Sequence, residues 1–529
     1  MEFLSNPSGF PKVIQNISKH LSTHELKSLS AVSSDWSHAI KEVLEERAYF
    51  NLNCTESAKS IDRTYQKFVL SKVNRMYIKK AMKLLVKYNN IQCEKSKSYK
   101  CEELLLRKLK FTNSGLKLLA TLKHLNSLDI DSCCIPLDFD EIDFNLQLEN
   151  FTITSDDSVN EHFINRILIS NKNTLKTIQL MFPFDDQGGI FEHTIFPQLQ
   201  KLSLLSSTVS ADALEKFFEH HKSLQNLTIM NAVGMQDSTL DSLSRNCVNL
   251  KVLDLRFPLN TTERSVDYIN RLHELRVLNI HGLVLEGREI SRIHLPKLTA
   301  FGCGVLRETS NSIAEKDFES LFYSMPVIRS LNMAHCENRG TRITSKVISL
   351  MSKCLPELIH LKLNGNYYLC DGKIQQIDVF KNLEFLNLYN TGIKDKFLCE
   401  IKAPRLKTID IGLCDNVSMT GLMHIVEHFR NIESIEMTSC KGINDSAIRL
   451  LLNELNYLKF IDVRDCPVSL DGIKFILSNS FVNAYLSYEG DIGTLLQTCG
   501  ATGFIFITKH DKSILKVSNR CREIFIYIK

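Results

Sequence analysis

The feature of this sequence that most constrains its fold is a short apolar frame that recurs at a nearly fixed interval. Three copies near the C-terminus, LKTIDIGLC from Leu406, IESIEMTSC from Ile432 and LKFIDVRDC from Leu458, follow the pattern L-x-x-L-x-L-x-x-C. With eleven earlier copies, the fourteen starts span 333 residues in thirteen steps, about 26 residues each. A fixed period of this length indicates one small structural unit per copy. The earlier starts are Leu125, Leu148, Leu175, Leu199, Leu224, Leu250, Leu275, Leu298, Ile328, Leu358 and Leu383.

The pattern within each repeat predicts a strand followed by a helix. The x-L-x-L core is a short strand whose alternate residues point inward. The stretch after it, such as DSAIRLLLNEL after Cys440, has helical spacing. Because no single unit buries its apolar face, neighbouring units must stack. The predicted fold class is α/β, a curved solenoid with parallel strands inside and helices outside.

Two less regular copies precede the array, and the chain ends outside the period. The early copies are YQKFVL from Tyr65 and LRKLKF from Leu106. At the other end, GFIFITK and REIFIYIK alternate too weakly to continue the repeat. These segments predict a strand-rich cap over the final coil.

The N-terminal stretch FPKVIQNISKHLSTHELKSLSAVSSDW has a different pattern. Pro11 suits a first helical position, and Ile14, Ile17 and Leu21 recur at helical spacing. An S-x-x-E capping box at residues 22–25 then starts a second helix. Three short helices of this size bury too little surface to be stable alone, so they need a partner or the rest of the chain.

This stretch resembles an F-box, and the repeats resemble the cysteine-containing leucine-rich class. The chain is therefore similar to F-box and leucine-rich-repeat proteins. The motif would normally have a glutamate at Val13 and often a cysteine at Ser33, so the match is incomplete at two positions. The residues that match the F-box are Phe10, Pro11, Ile14, Ile17, Leu21, Leu26, Leu29, Val32 and Trp36.

The resemblance implies a substrate-recognition subunit of a Skp–cullin–F-box type E3 ubiquitin ligase. Such a subunit is not an enzyme, because the transfer chemistry lies in other subunits. A Skp-type adaptor would link the chain to a cullin–RING ligase, and the repeats would hold a protein substrate. Two alternatives stay open: a helical cap that shields the first coil, and a leucine-rich-repeat scaffold or RNA-binding protein without a ligase role. The implied adaptor-binding residues are Phe10, Pro11, Ile14, Ile17, Leu21 and Leu26.

These patterns predict four regions. Residues 8–50 form an F-box-like helical domain, and residues 51–123 form a basic linker with the first irregular repeats. Residues 124–480 form the leucine-rich-repeat solenoid. Residues 481–529 form an atypical C-terminal cap.

Composition limits the compartment and the class of partner. With 64 basic and 60 acidic residues, the formal charge of +4 does not favour a globally nucleic-acid-seeking protein. No apolar run approaches the ~18 residues of a membrane span, and no signal peptide is evident. Sixteen cysteines then predict free thiols in a reducing compartment, the cytoplasm or the nucleus. No motif for a nucleotide, catalytic nucleophile or cofactor occurs, so none is expected.

The cysteines at the ninth frame position suggest either a metal cluster or a structural role. A small buried side chain could turn the backbone there while its S–H contacts a carbonyl of the next coil. Stacked copies would form a line rather than a tetrahedron, so we favour the structural role and expect no metal. The residues concerned are Cys133, Cys336, Cys414, Cys440 and Cys466, with Asn366 once.

Charge is segregated near the start of the repeats. Residues 59–123 carry seventeen Lys or Arg and four acidic residues, and residues 124–165 carry ten Asp or Glu and no Lys or Arg. The basic block could bind RNA phosphates, an acidic partner or a membrane surface. We favour mutual neutralisation of adjacent blocks, since aromatic residues for base stacking are sparse. No membrane contact is expected.

The fifth frame position suggests a substrate-binding row in the C-terminal half. On three successive strands it is acidic, and aromatic and arginine side chains of the kinds favoured at binding hot spots stand nearby. Acidic residues also occur at this position for structural reasons, so both interpretations stay open. The predicted substrate-binding residues are Phe385, Tyr389, Asp410, Glu436, Phe460, Asp462 and Arg464.

Overall fold

A computed structural model gives the architecture, and the chain divides into two compact units, residues 1–234 (unit 1) and 235–529 (unit 2). The described residues are 49–52, 67–71, 103–107, 109, 111, 113–123, 125–136, 142–155, 159–186, 189–205, 207–231, 234–257, 261–281, 283, 287–304, 315–335, 343–367, 369, 379–478, 482–489, 504–509, 512–519 and 522–528.

Unit 1 is a series of parallel strands with helices in several of the connections. The described strands, β1 to β8, pair in chain order, each parallel to the next. The strands are β1 Tyr49–Leu52, β2 Lys67–Ser71, β3 Glu103–Arg107, β4 Ser127–Asp131, β5 Asn150–Thr154, β6 Thr177–Pro183, β7 Lys201–Leu205 and β8 Asn226–Met230. The helices are α1 Asn113–Leu119, α2 Glu161–Ser170, α3 Ile190–His193 and α4 Ala211–His220.

Unit 2 repeats this arrangement with shorter strands. Strands β9 to β18 pair in chain order and run parallel. The strands are β9 Val252–Arg256, β10 Val277–Asn279, β11 Ala300–Gly302, β12 Ser330–Asn332, β13 His360–Lys362, β14 Phe385–Asn387, β15 Thr408–Asp410, β16 Ser434–Glu436, β17 Phe460–Val463 and β18 Asn483–Tyr488. The helices are α5 Asp237–Asn246, α6 Ser265–Ile269, α7 Gly287–Ile290, α8 Glu315–Tyr323, α9 Ser345–Cys354, α10 Asp395–Glu400, α11 Met419–His428, α12 Asp445–Glu454 and α13 Leu470–Ser478.

The C-terminal residues leave the repeat and form an antiparallel meander. Strands β19 Phe504–Lys509, β20 Lys512–Asn519 and β21 Arg522–Ile528 pair antiparallel in order, and β21 also pairs parallel with β18. The two segments that break the sequence period are therefore strands, as their composition predicts.

The repeat frame predicts the strands to the residue. In all fourteen predicted copies the strand begins two residues after the first apolar residue of the frame. The fourth and sixth positions are buried, as at Leu253 and Leu255, both 0% exposed. The predicted α/β repeat fold is confirmed.

The sequence placed one of the two early copies in the wrong register. Strand β2 agrees with the copy from Tyr65, but β3 covers Glu103–Arg107, and Leu106 pairs with Ile130 at a sixth position rather than a first. That frame begins five residues earlier than predicted. The basic run after it made the apolar alternation difficult to place from the sequence.

A left-handed residue ends nearly every strand segment at the eighth frame position. Left-handed backbone is uncommon for side chains as large as Phe257 or Leu413. The amide N–H of this residue donates to the carbonyl at the seventh frame position of the next coil. The Leu413 amide, for example, donates to the Thr438 carbonyl at 2.7 Å. This bond extends the ladder between coils and stabilises the unusual conformation. The non-glycine residues concerned, with φ from 51° to 59°, are Ser132, Asn231, Phe257, His335, Asn390, Leu413, Ser439 and Asp465.

The ninth-position side chains link each coil to the one before it. The thiols of Cys414, Cys440 and Cys466 donate to the sixth-position carbonyl of the preceding coil at 3.2, 3.1 and 3.0 Å. Asn366 makes the same contact with its amide at 2.9 Å. The expected contact with the next coil was therefore wrong in direction, because the turn after the strand points the side chain back along the array. Cys336 lies outside the described residues.

In unit 1, buried polar side chains at the ends of outer helices also join coils. Asn171, 2% exposed, accepts from the amides of Leu146 and Leu148, both at 3.1 Å, and donates to the carbonyls of Phe144 and Ile167, both at 2.8 Å. Its side chain therefore satisfies three backbone groups that no other strand or helix bond reaches, and it adds a second bond to the Ile167 carbonyl, which also accepts from the amide of Asn171.

His221 occupies the corresponding position after α4. Its Nε2 accepts from the amide of Phe196 at 2.9 Å, and its Nδ1 donates to the carbonyl of Phe217 at 2.6 Å. The imidazole also stacks on the Phe217 ring at a centroid distance of 3.7 Å. Burial lowers the pKa of His221 from 6.5 to about 4, so the ring is neutral at physiological pH.

Among the described helices, none is both long enough and apolar enough to cross a bilayer.

Candidate protein-binding surface

The predicted adaptor-binding residues lie outside the described residues, so the structure gives no account of their contacts. They are Phe10, Pro11, Ile14, Ile17, Leu21 and Leu26.

The predicted acidic row forms a line across three neighbouring strands. Asp410, Glu436 and Asp462 are register partners on β15, β16 and β17. Adjacent strands are ~4.8 Å apart, so like charges at this spacing repel unless each is matched. The three carboxylates differ in how they are matched.

Asp410 and Asp462 hold the backbone turn that follows their own strands. The Asp410 carboxylate accepts from the Gly412 amide at 3.0 Å and from Asn387 Nδ2 at 2.9 Å. Asp462, 1% exposed, accepts from the Arg464 amide at 3.1 Å and from its guanidinium at 2.5–3.0 Å. Burial raises the pKa of Asp410, and the charge of Asp462 raises it further. Both carboxylates therefore have structural partners within the chain.

Glu436 differs because its side chain is one methylene longer. It is half-buried and has neither a hydrogen bond nor an ion pair from its carboxylate among the described residues. Burial raises the pKa of Glu436, and the charges of Asp410 and Asp462 raise it further, against a smaller effect of Arg464. A cation from outside the chain would match this carboxylate.

Aromatic rings flank the row on both sides. Phe460 packs edge-on against Tyr485 at 5.1 Å, and the Arg464 guanidinium lies 5.4 Å from the same ring. On the other side Tyr389 is 37% exposed, and its ring lies where a side chain at Gly412 would otherwise be. The row is thus a polar strip between two aromatic borders.

Phe385 lies apart from the row, and its neighbours are a lysine and a histidine. The Lys362 ammonium is 5.8 Å from its ring, and the His360 ring is 6.0 Å away. Sequence reasoning missed Lys362 and Tyr485. Lys362 sits at the same fifth position as the acidic row, two strands before Asp410, which is the signal that could have found it.

The thiols do not form a reactive or metal-binding site in the described part of the chain. Burial raises the pKa of Cys133 and Cys440 to about 12 and that of Cys466 to about 11, so these groups stay protonated. No group of three or more His, Cys, Asp or Glu among the described residues has the geometry of a metal site.

Comparison with known proteins finds a family model that matches part of the chain. Residues 146–311 match the model of the leucine-rich repeats of the FBD-associated F-box protein At5g56370. A solved structure, of the Rad7 and Elc1 complex in yeast, aligns at 15% identity with a TM-score of 0.37, over 57% of this chain and 83% of the matched chain. Residues 146–311 are therefore similar to the leucine-rich repeats of an F-box protein.

Proposed function

We propose that the chain is the substrate-recognition subunit of a Skp–cullin–F-box type E3 ubiquitin ligase. The observation that carries the proposal is the match of residues 146–311 to the repeats of an F-box protein. In this function the chain performs no catalysis and acts in the cytoplasm or nucleus. The N-terminal residues dock a Skp-type adaptor, and the repeats hold a protein substrate.

The substrate contact that the described surface favours is a lysine or arginine side chain at Glu436. That carboxylate lacks a partner among the described residues, whereas Asp410 and Asp462 are engaged in their own turns. The two neighbouring carboxylates add negative potential at the same place, and the flanking rings of Tyr389 and Phe460 offer apolar surface to the stem of a long cationic side chain.

Adaptor docking is tested by the double variant Ile14→Asp, Leu21→Asp of the full chain. Two unpaired carboxylates in an apolar interface would cost several kcal/mol of binding free energy. A cost of this size is enough to abolish adaptor binding. We expect wild type to co-purify with the adaptor and a cullin, and the variant with neither, at unchanged circular dichroism. A folded variant that retains the adaptor would refute the docking face, and a wild type that binds no adaptor would favour the scaffold or RNA-binding alternative.

Substrate capture is tested with Glu436→Gln in cells with the proteasome blocked. Proteins that accumulate on wild type should be captured several-fold less by Glu436→Gln at low salt, where exposed charge pairs are strongest. Glu433→Gln is a matched control, because Glu433 is on the same coil and already pairs with Lys459 at 2.6 Å. Equal capture by both variants would show that Glu436 does not contact the substrate.

A further inference from the structure

Five consecutive strands of unit 2 present no carboxylate on the face that carries the acidic row further along. The segments VLNIH, AFGCG, SLNMAH, HLKLNG and FLNLYN, which begin at β10 to β14, contain no Asp or Glu. Their fifth positions are register partners and bear three amides, one ammonium and, at Gly302, no side chain. We call this the donor surface; its residues are Asn279, His281, Asn332, His335, His360, Lys362, Asn364 and Asn387.

Glycines in the following coils hold two imidazoles of this surface in place. A Cβ at Gly302 would lie 2.3 Å from Asn279 Oδ1 and 3.1 Å from His281 Nε2. A Cβ at Gly365 would lie 2.0 Å from His335 Nδ1. The imidazoles therefore lie against bare backbone. Side chains that are ordered before binding lose less conformational entropy when a partner arrives.

Most amide donors of the surface are already paired within the chain, and Lys362 is the cationic group that the surface offers to a partner. Asn332 Oδ1 accepts from the Ala334 amide at 3.1 Å, and its Nδ2 lies 3.4 Å from His281 Nε2. Lys362 is exposed and has no carboxylate within ion-pair distance among the described residues. Its ammonium lies over the Phe385 ring instead. An apolar partner would bury the Lys362 ammonium without a carboxylate, and a basic partner would add repulsion.

We propose that the donor surface binds an extended acidic segment of a partner protein, with Asp or Glu carboxylates opposite Lys362 and His335. A carboxylate accepts from the Lys362 ammonium and from a donor nitrogen of an imidazole, so it is the group that this surface complements. Affinity for a nucleic acid depends on several cationic contacts to its phosphates, and a single lysine supplies too little charge for that. The proposal concerns other residues than the Glu436 contact and does not depend on a ligase role.

The test measures fluorescence anisotropy of labelled short peptides with the full chain, together with its adaptor if that is needed for solubility. The probes are an alternating Asp-Ser peptide, the same peptide with Asn for Asp, and the same peptide with Lys for Asp. We expect the Asp peptide alone to bind the donor surface, with an affinity that falls as salt rises. A matching oligouridine tests the nucleic-acid alternative.

Variants then locate the binding. Lys362→Glu should weaken the Asp peptide about tenfold at low salt, and Lys362→Gln about threefold, as for exposed charge pairs. Lys353→Glu, on the exposed face of α9 just before β13, is the charge-matched control and should have no effect. Gly302→Ala should displace Asn279 and His281 and weaken binding by a similar small factor.

The outcomes separate this proposal from the preceding one. Glu436→Gln should leave the Asp peptide bound, whereas it weakens capture of a basic substrate segment. Equal affinity for the Asp and Asn peptides, or unchanged binding by folded Lys362→Glu and Lys362→Gln variants, would overturn the donor surface. Tighter binding of oligouridine that depends on Lys362 would also overturn the acidic-peptide assignment.

Discussion

The two units share one kind of link between successive coils, and unit 1 has a second kind that uses buried polar side chains. In unit 1, Asn171 and His221 bridge backbone groups from the ends of outer helices, and each is buried and fully engaged. In unit 2, the repeated link is a thiol or amide at the ninth position, on the strand side of the coil. Unit 1 has this link at Cys133, whose thiol donates to the Leu106 carbonyl at 3.4 Å. A lost polar bridge leaves several backbone groups without partners, whereas a lost thiol contact leaves one. Unit 1 is therefore expected to be more sensitive to single substitutions and to acid.

The largest effect is expected from Asn171→Ala in unit 1. Three buried backbone groups would lose their partner, at a cost of about 3–4 kcal/mol in the free energy of unfolding. Chemical unfolding followed by circular dichroism measures this cost. Lys172→Ala, on the exposed neighbour, should change it by less than about 0.5 kcal/mol. A loss below that level for Asn171→Ala would remove the basis of the comparison.

The second prediction is an acid-dependent loss of stability through His221. The unfolded imidazole takes up a proton near pH 6.5, but the folded one does so only near pH 4, so the unfolded state binds more protons between these values. The contribution is fully present above about pH 6.5 and is lost as pH falls toward 4, by about 3 kcal/mol. Denaturant unfolding across this pH range measures it.

His221→Asn is the matched variant for that experiment. Asn171 shows that an amide serves the same position in another coil, and an amide does not titrate in this range. The variant should lose the pH dependence of the free energy of unfolding that wild type has between pH 6.5 and 4. An identical slope in both proteins would mean that other groups cause the acid sensitivity.

The smallest effect is expected from Cys440→Ser in unit 2. Its thiol makes one contact to a carbonyl at 3.1 Å, and a hydroxyl is more polar and smaller, so we expect a loss of about 1 kcal/mol. Cys399→Ser, at an exposed thiol, is the control and should be neutral. Metal analysis should find no stoichiometric zinc in either variant or in wild type. Zinc in the wild type would contradict the structural role of these cysteines.

The repeat can be predicted from the amino-acid sequence alone, because it is a local pattern. A strand two residues after each first apolar residue follows from alternation within nine residues, and the inward burial of residues such as Leu253 follows from the same alternation. The sequence also predicts that Asp410, Glu436 and Asp462 share a row, since equal frame positions on parallel strands become register partners. None of this requires knowledge of what a side chain contacts.

Which of those residues can bind a partner depends on contacts that form in the folded chain. Asp410 and Glu436 are equivalent in the repeat frame, but Asp410 reaches its own turn and Glu436, one methylene longer, has no such bond. The direction of the Cys440 contact and the partners of Asn171 in the preceding coil were likewise invisible, because these partners lie more than twenty residues away in the chain. Periodicity places residues on a face, whereas hydrogen-bond partners depend on side-chain length and on the coil stacked beside them.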